Sequence, residues 1–189
     1  MTLTSTAVVN QALVDIGNDG PPVTGVAPNF DSSTAGQAAA KIYVDTVKAV
    51  ARQFSWDFAR QNAALSLSGN IAPFPWAFEY VYPSNCIQLW QLVPPTLADP
   101  NDPAPVRWAV GNAVVNSNQT RVIWSNLQNA KAFFNGNPAE AAWDSLFTET
   151  VVRILGSKLA MALEGKPDTS QSMLETAGAF QGIGVERDS

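Results

Sequence analysis

Apolar positions follow a helical rhythm at the two ends of this chain and lose it in the middle. Near the N-terminus, Val9, Leu13 and Ile16 line one face of a helix over Thr6 to Ile16, and Gly17 supplies its stop. From Asp31 to Ala64 the chain reads as one long amphipathic helix ending in an aromatic cluster. Tyr43, Val47, Val50, Phe54 and Phe58 share one face, while Lys41, Asp45, Lys48 and Arg52 keep the same rhythm on the opposite side. The pattern stops this helix between Trp56 and Arg60. Thr34 and Gln37 give it a capping-box start, with Asp31, Ser32 and Ser33 as alternatives. A third helix begins near Pro138 and places Trp143, Phe147, Val151, Ile154, Leu155, Leu159, Met161 and Leu163 on a wide apolar sector. Glu149 and Arg153 form an i,i+4 pair on its polar side, and Lys158 is expected to pack its stem while its ammonium reaches water. A weaker fourth helix starts near Asp168 or Thr169 and carries Met173, Leu174, Ala177 and Phe180.

Between about Asn62 and Asn135 the reading changes to strands. Leu65 and Leu67 alternate with serines before Gly69-Asn70, and Tyr80 to Val93 is aromatic and β-branched around a Pro83-Ser84-Asn85 turn. Val106–Val110, Ala113–Asn116 and Arg121–Trp124 read as short strands separated by turns at Gly111-Asn112 and Ser117-Asn118-Gln119. The proline-rich Pro94–Pro105 segment cannot be a central strand. The expected fold is therefore α+β: mainly an α-helical bundle of about four helices with an antiparallel β-meander insertion. Residues 1–61 and 136–189 would form the bundle, 62–135 the insertion, and 178–189 a flexible C-terminal tail.

Composition sharpens this. Of 189 residues, 46% are hydrophobic and only 14% charged, about half the usual share, which suits a protein that covers much of its surface with copies of itself or with partners. A monomer with an uncharged polar surface is the alternative. The net charge of −5 and the lack of a basic stripe argue against binding nucleic acid through its phosphates. Cys86 is the sole cysteine, so an internal disulfide is impossible, and no apolar run approaches membrane-spanning length. The N-terminus lacks the features of a signal peptide, so synthesis in a cytosol is expected.

Candidate chemistry is sparse. With no histidine in the chain, Ser-His-Asp and Cys-His nucleophile systems and imidazole zinc sites are excluded. Cys86 reads as a small buried hydrophobe, and neither Gly165-Lys166 nor Gly182-Ile183-Gly184 has the flanks of a phosphate or dinucleotide loop. A carboxylate pair drawn from Glu79, Asp99 and Asp102 is the one hydrolytic possibility. The expectation is no enzyme, no cofactor and no metal.

Several segments, in order, resemble one family. Val9-Asn10-Gln11-Ala12-Leu13-Val14-Asp15-Ile16-Gly17, Asp31-Ser32-Ser33-Thr34-Ala35 with Tyr43, and Phe54-Ser55-Trp56-Asp57-Phe58-Ala59 with Ala63-Ala64-Leu65 come first. Phe74-Pro75-Trp76-Ala77-Phe78-Glu79-Tyr80 with Pro83-Ser84-Asn85-Cys86, then Phe147 and Lys158-Leu159-Ala160, complete the set. Over roughly residues 5–165 this resembles the tail tubular protein A family of short-tailed phages and related head-to-tail adaptors of tailed phages and gene transfer agents. Asn85 departs from it, standing where an acidic residue is common. The resemblance implies a structural adaptor at the virion's head–tail junction, assembled as a dodecameric ring beneath the portal. Its partners would be further copies of itself, the portal protein and a downstream tail or nozzle protein, with DNA passing through the channel and no membrane involved. The C-terminal segment would engage the portal, through Phe180, Ile183 and Val185, while Phe54, Trp56 and Phe58 would form the core where helix meets β insertion. The alternatives are a virion peptidoglycan hydrolase and a binding module of unknown ligand.

Overall fold

The computed structural model describes residues 2–96, 106–163, 168 and 170–178. The chain divides into two compact units, Met1–Phe54 with Pro138–Ser189, and Ser55–Asn137.

The first unit is helical. Helix α1 (Ser5–Asp15) is capped by Thr4, whose hydroxyl accepts from the Ala7 amide, and it buries Val8, Val9, Ala12 and Leu13. A two-stranded ribbon follows, β1 (Gly25–Val26) and β2 (Asn29–Phe30). Asn10 fixes the linker between α1 and this ribbon by bonding both the Val23 carbonyl, at 3.0 Å, and the Val23 amide, at 2.8 Å. Helix α2 (Thr34–Ala51) is capped by Ser33, whose hydroxyl accepts from the Gly36 amide at 3.0 Å. Asp31 braces that cap, accepting from Ser33 and from the Thr24 amide. These bonds hold its carboxyl down at about 2. Position 36 must be glycine, because a Cβ there would sit 2.4 Å from the Asp31 carbonyl oxygen. Helix α3 (Ser145–Leu163) buries Phe147, Val151, Leu155 and Leu159. Gly156 lets the Ala12 carbonyl and the Met173 sulfur approach closely, so α1 and a fourth helical segment at 170–178 both pack beside α3.

The second unit is built from two three-stranded antiparallel sheets. Strands β3 (Arg60–Ala64), β8 (Lys131–Asn135) and β5 (Gln88–Val93) form one, in the order β3-β8-β5. Strands β4 (Phe78–Val81), β7 (Asn118–Ser125) and β6 (Trp108–Val115) form the other, in the order β4-β7-β6. Tyr80 and Ile123 from one sheet share a core with Leu89, Leu92, Ala132 and Phe134 from the other. Burial of these side chains, each contributing on the order of 1.5–3 kcal/mol, is what holds the unit together.

The expected architecture needs correcting. The protein is not mainly a helical bundle with a meander inserted. Among the described residues it is mixed α+β, 39% helical with four helices, and 25% strand in eight strands and three antiparallel sheets. Nor do strands 3–8 run as a meander: among the described residues of this unit only β6 and β7 are neighbours both in sequence and in a sheet. The long second helix ends at Ala51 instead of reaching Trp56 or beyond, and residues 57–59 form a 3₁₀ turn that leads into β3. Phe54 and Phe58 keep the helical period, but pairing of β3 with β8 overrides it. Trp56 and Phe58 show the change directly, their ring centroids 6.0 Å apart, because residues two apart on a helix do not face each other.

Two turn assignments also shift. Gly111-Asn112 is no turn; β6 runs straight through it, Gly111 pairing with Val122 and Asn112 with Arg121, and residue 111 is glycine because a Cβ there would lie only 2.1 Å from the Trp124 ring. The β6–β7 reversal is instead the two-residue Asn116-Ser117 loop, both residues at positive φ (50° and 66°), a type I′ hairpin turn. The expected Leu65–Ser68 strand is displaced as well: β3 ends at Ala64, and Leu67 makes only an isolated bridge to Tyr80.

Candidate interaction surface

The chain from Gln61 to Phe78 carries no charged residue, and its tip projects apolar side chains into solvent. Ile71 is 97% and Phe74 98% exposed; Leu67, at 59%, and Val114 of β6, at 62%, are also open. A loop whose apolar residues point away from the core is the kind of feature that marks a contact with another molecule.

The tip is mounted on a rigid base. The Ser68 amide donates to the Glu79 carbonyl at 3.0 Å and the Val81 amide to Ser66 at 2.9 Å, so residues 66–68 lie along the outer side of β4. Gly69 turns the chain at φ +84°, a conformation that disfavours a side chain. At the far end, the Ala77 amide donates to Asn126 Oδ1 at 2.8 Å, and the Arg107 guanidinium lies over the Trp76 ring, 5.9 Å from its centroid.

Glu79 ties this base together. It is 3% exposed. Its Oε1 accepts from Ser68 Oγ and Asn70 Nδ2, both at 2.8 Å, and its Oε2 accepts from Trp124 Nε1 at 2.8 Å. Burial alone pushes its pKa up, but the bonds from Trp124, Ser68 and Asn70 prevail and hold it below the usual Glu value. Asn70 spends its second amide proton on the Val114 carbonyl, 3.0 Å away, which fastens the loop to β6. Glu79 is thus an ionised acceptor with its donors in place. A glycosidase acid needs the reverse, a carboxyl kept protonated near neutral pH.

Asp99 and Asp102 lie outside the described residues, as do Phe180, Ile183, Val185 and Gly165-Lys166. Cys86 is half-buried, and desolvation pushes its thiol up, against smaller opposing effects of Tyr82 and Arg121. That is the setting of an unreactive thiol. Lys158 is exposed and donates to Thr46 Oγ1 at 2.9 Å. Arg153 pairs with Glu149 at 2.8 Å and with Asp15 at 3.1 Å. It lines an open groove of about 420 Å³ together with Asp15, Asp168, Ser172, Met173 and Thr176. Phe54 closes the first segment of the helical unit, while Trp56, 5% exposed, and Phe58 belong to the β-rich unit.

Sequence reasoning did not single out the loop tip. The signal available was its composition, Ile-Ala-Pro-Phe-Pro-Trp at 71–76 within an uncharged stretch. Among the described residues no helix is long and apolar enough to cross a membrane, and no cluster of three or more metal-ligating side chains occurs. No family model matches the chain, and no curated protein matches it either.

Proposed function

We propose that this protein is a structural assembly component, a head-to-tail adaptor of a tailed phage or phage-like particle. In this reading, copies form a ring under the portal, join it to the next tail component and leave a channel for DNA. The ordered motifs from Val9 to Ala160 support the reading through their resemblance to such adaptors. The structural observation that carries it is the braced apolar loop at 67–77, with Ile71 and Phe74 almost fully exposed. Exposing such side chains on a fixed platform has a use when a partner covers them. The low charge fraction suits repeated subunit contacts, and the acidic balance suits a conduit to which DNA must not adhere. The loop is assigned to the tail-side contact, and Phe180, Ile183 and Val185 to the portal-side contact.

The test is assembly with purified portal rings, followed by light scattering and electron microscopy. The reading expects a ring-shaped cap of this chain on the portal. It also expects Ile71→Ser/Phe74→Ser to cap the portal normally yet fail to recruit the downstream tail protein. Recruitment unimpaired by those substitutions would remove the loop from the account, and no portal complex at all would remove the adaptor function.

A further inference from the structure

Among the described residues, the outer edge of strand β6 is open and has the chemistry of a self-pairing strand. The type I′ turn at Asn116-Ser117 makes Val115 and Asn118 a hydrogen-bonded pair, and bonded and non-bonded pairs then alternate along the hairpin. Ala113, Gly111 and Ala109 therefore bond to β7, whereas Val114, Asn112, Val110 and Trp108 turn their backbone groups outward. Two contacts agree with this phase: the Val114 carbonyl accepts from Asn70 on the outer side, and the Arg107 carbonyl accepts from Ser125 on the inner side.

Among the described residues no strand pairs with this outer edge of β6. The opposite edge strand of the same sheet, β4, is covered by residues 66–68. Natural proteins guard open edges with prolines, charged side chains or bulges. Here residues 108–120 contain no charge and no proline, and β6 pairs with β7 through eight consecutive positions without a bulge. Asn70 closes the Val114 end, so the free window is Trp108, Val110 and Asn112.

We propose that this window pairs with the same window of a second copy, antiparallel about a two-fold axis through Val110. The register follows from symmetry: Val110 faces Val110 of the other copy and Trp108 faces Asn112, giving two backbone hydrogen bonds per pair and about six in all. The register keeps like charges apart, because the two Arg107 side chains fall at opposite ends. The second copy is favoured over a foreign peptide because the window is its own complement in length, phase and neutrality. The buried area is small, below about 1,200 Å² in total, so the dimer is concentration-dependent. This pairing does not depend on the adaptor reading.

Sedimentation equilibrium of the full chain tests it, comparing wild type with Asn112→Pro. The Asn112 side chain is exposed and its amide points outward, so proline there removes no bond within the chain. Wild type is expected to dimerise as concentration rises, and Asn112→Pro to weaken the dimer about tenfold or more, through two lost bonds across the axis. A second arm uses Val110→Cys in a Cys86→Ser background. Only the two-fold register brings residue 110 beside its own copy, about 5.5 Å between Cα atoms, so mild oxidation is expected to give a 110–110 disulfide. This arm decides alone if the proline variant loses its melting transition. Wild type that stays single up to about 1 mM, self-association equal in Asn112→Pro, or no 110–110 disulfide would overturn the pairing. A portal-capping ring formed normally by Asn112→Pro would leave the adaptor reading intact whichever way these results fall.

Discussion

Trp124 Nε1 donates to Glu79 Oε2 at 2.8 Å across the β4–β7 ladder, where the two residues are direct partners. One indole thereby does two things. Its N–H helps keep a buried carboxylate ionised, and its six-membered ring covers Gly111 on the neighbouring strand. The carboxylate, in turn, holds Ser68 and Asn70 at the root of the apolar loop.

Replacing Glu79 by Gln keeps the shape but puts an amide donor where three donors already converge. Bonds to a charged acceptor contribute about 1.5–3 kcal/mol each, and an unsatisfied buried group costs a similar amount, so a net loss of about 2–4 kcal/mol is expected. Urea denaturation followed by tryptophan fluorescence measures it. A loss under about 0.5 kcal/mol, the range of ordinary surface substitutions, would mean the network is not formed.

Gly111→Ala places a methyl group inside the Trp124 ring position. Overpacking of this kind costs about 1–3 kcal/mol. The thermal midpoint reports it, and an unchanged midpoint would show that the ring does not lie over Gly111.

Asp31 gives a pH dependence with a definite sign. Its carboxyl ionises at about 2 in the folded protein, against 3.8 ordinarily, so the native state favours the ionised form. The stabilisation is complete above about pH 4 and is lost as pH falls through 4 towards 2. Asp31→Asn is therefore expected to be less stable than wild type at pH 6, with the gap narrowing as acid is added. A gap that stays constant down to pH 2 would contradict the cap geometry.

Trp56→Ala removes a large side chain that is almost wholly buried, and a loss of about 3–5 kcal/mol is expected on denaturation. A loss below about 1 kcal/mol would place Trp56 at the surface.

What could be read from the sequence depended on how locally each element is determined. Helices α1 and α3 have sustained apolar faces, and the Glu149–Arg153 pair lies where i,i+4 spacing puts it. The end of α2 was hidden because Phe54 and Phe58 continue the helical period; what stops the helix is the pairing of Arg60–Ala64 with Lys131–Asn135, more than sixty residues away. Gly111-Asn112 looks like a turn to any local rule; its pairing with Val122 and Arg121 makes it strand, and the Trp124 ring explains the glycine. Glu79 was visible as a candidate acid, but its ionised state depends on three donors from two separate segments, Ser68 and Asn70 of the loop and Trp124 of β7. The exposed loop tip was written in composition alone, as apolar residues without charge, a pattern that a buried segment shares.

In the proposed role, this chain assembles with copies of itself and with a portal. Mixing full-length protein with portal rings and imaging the product tests that most directly. Removing residues 178–189 supplies the control, because it is expected to leave thermal stability near wild type while abolishing attachment. A closed ring of this chain seated on the portal, lost on that deletion, is the predicted result. Bare portal rings beside unassembled copies, or a ring that attaches equally well without residues 178–189, would contradict the account.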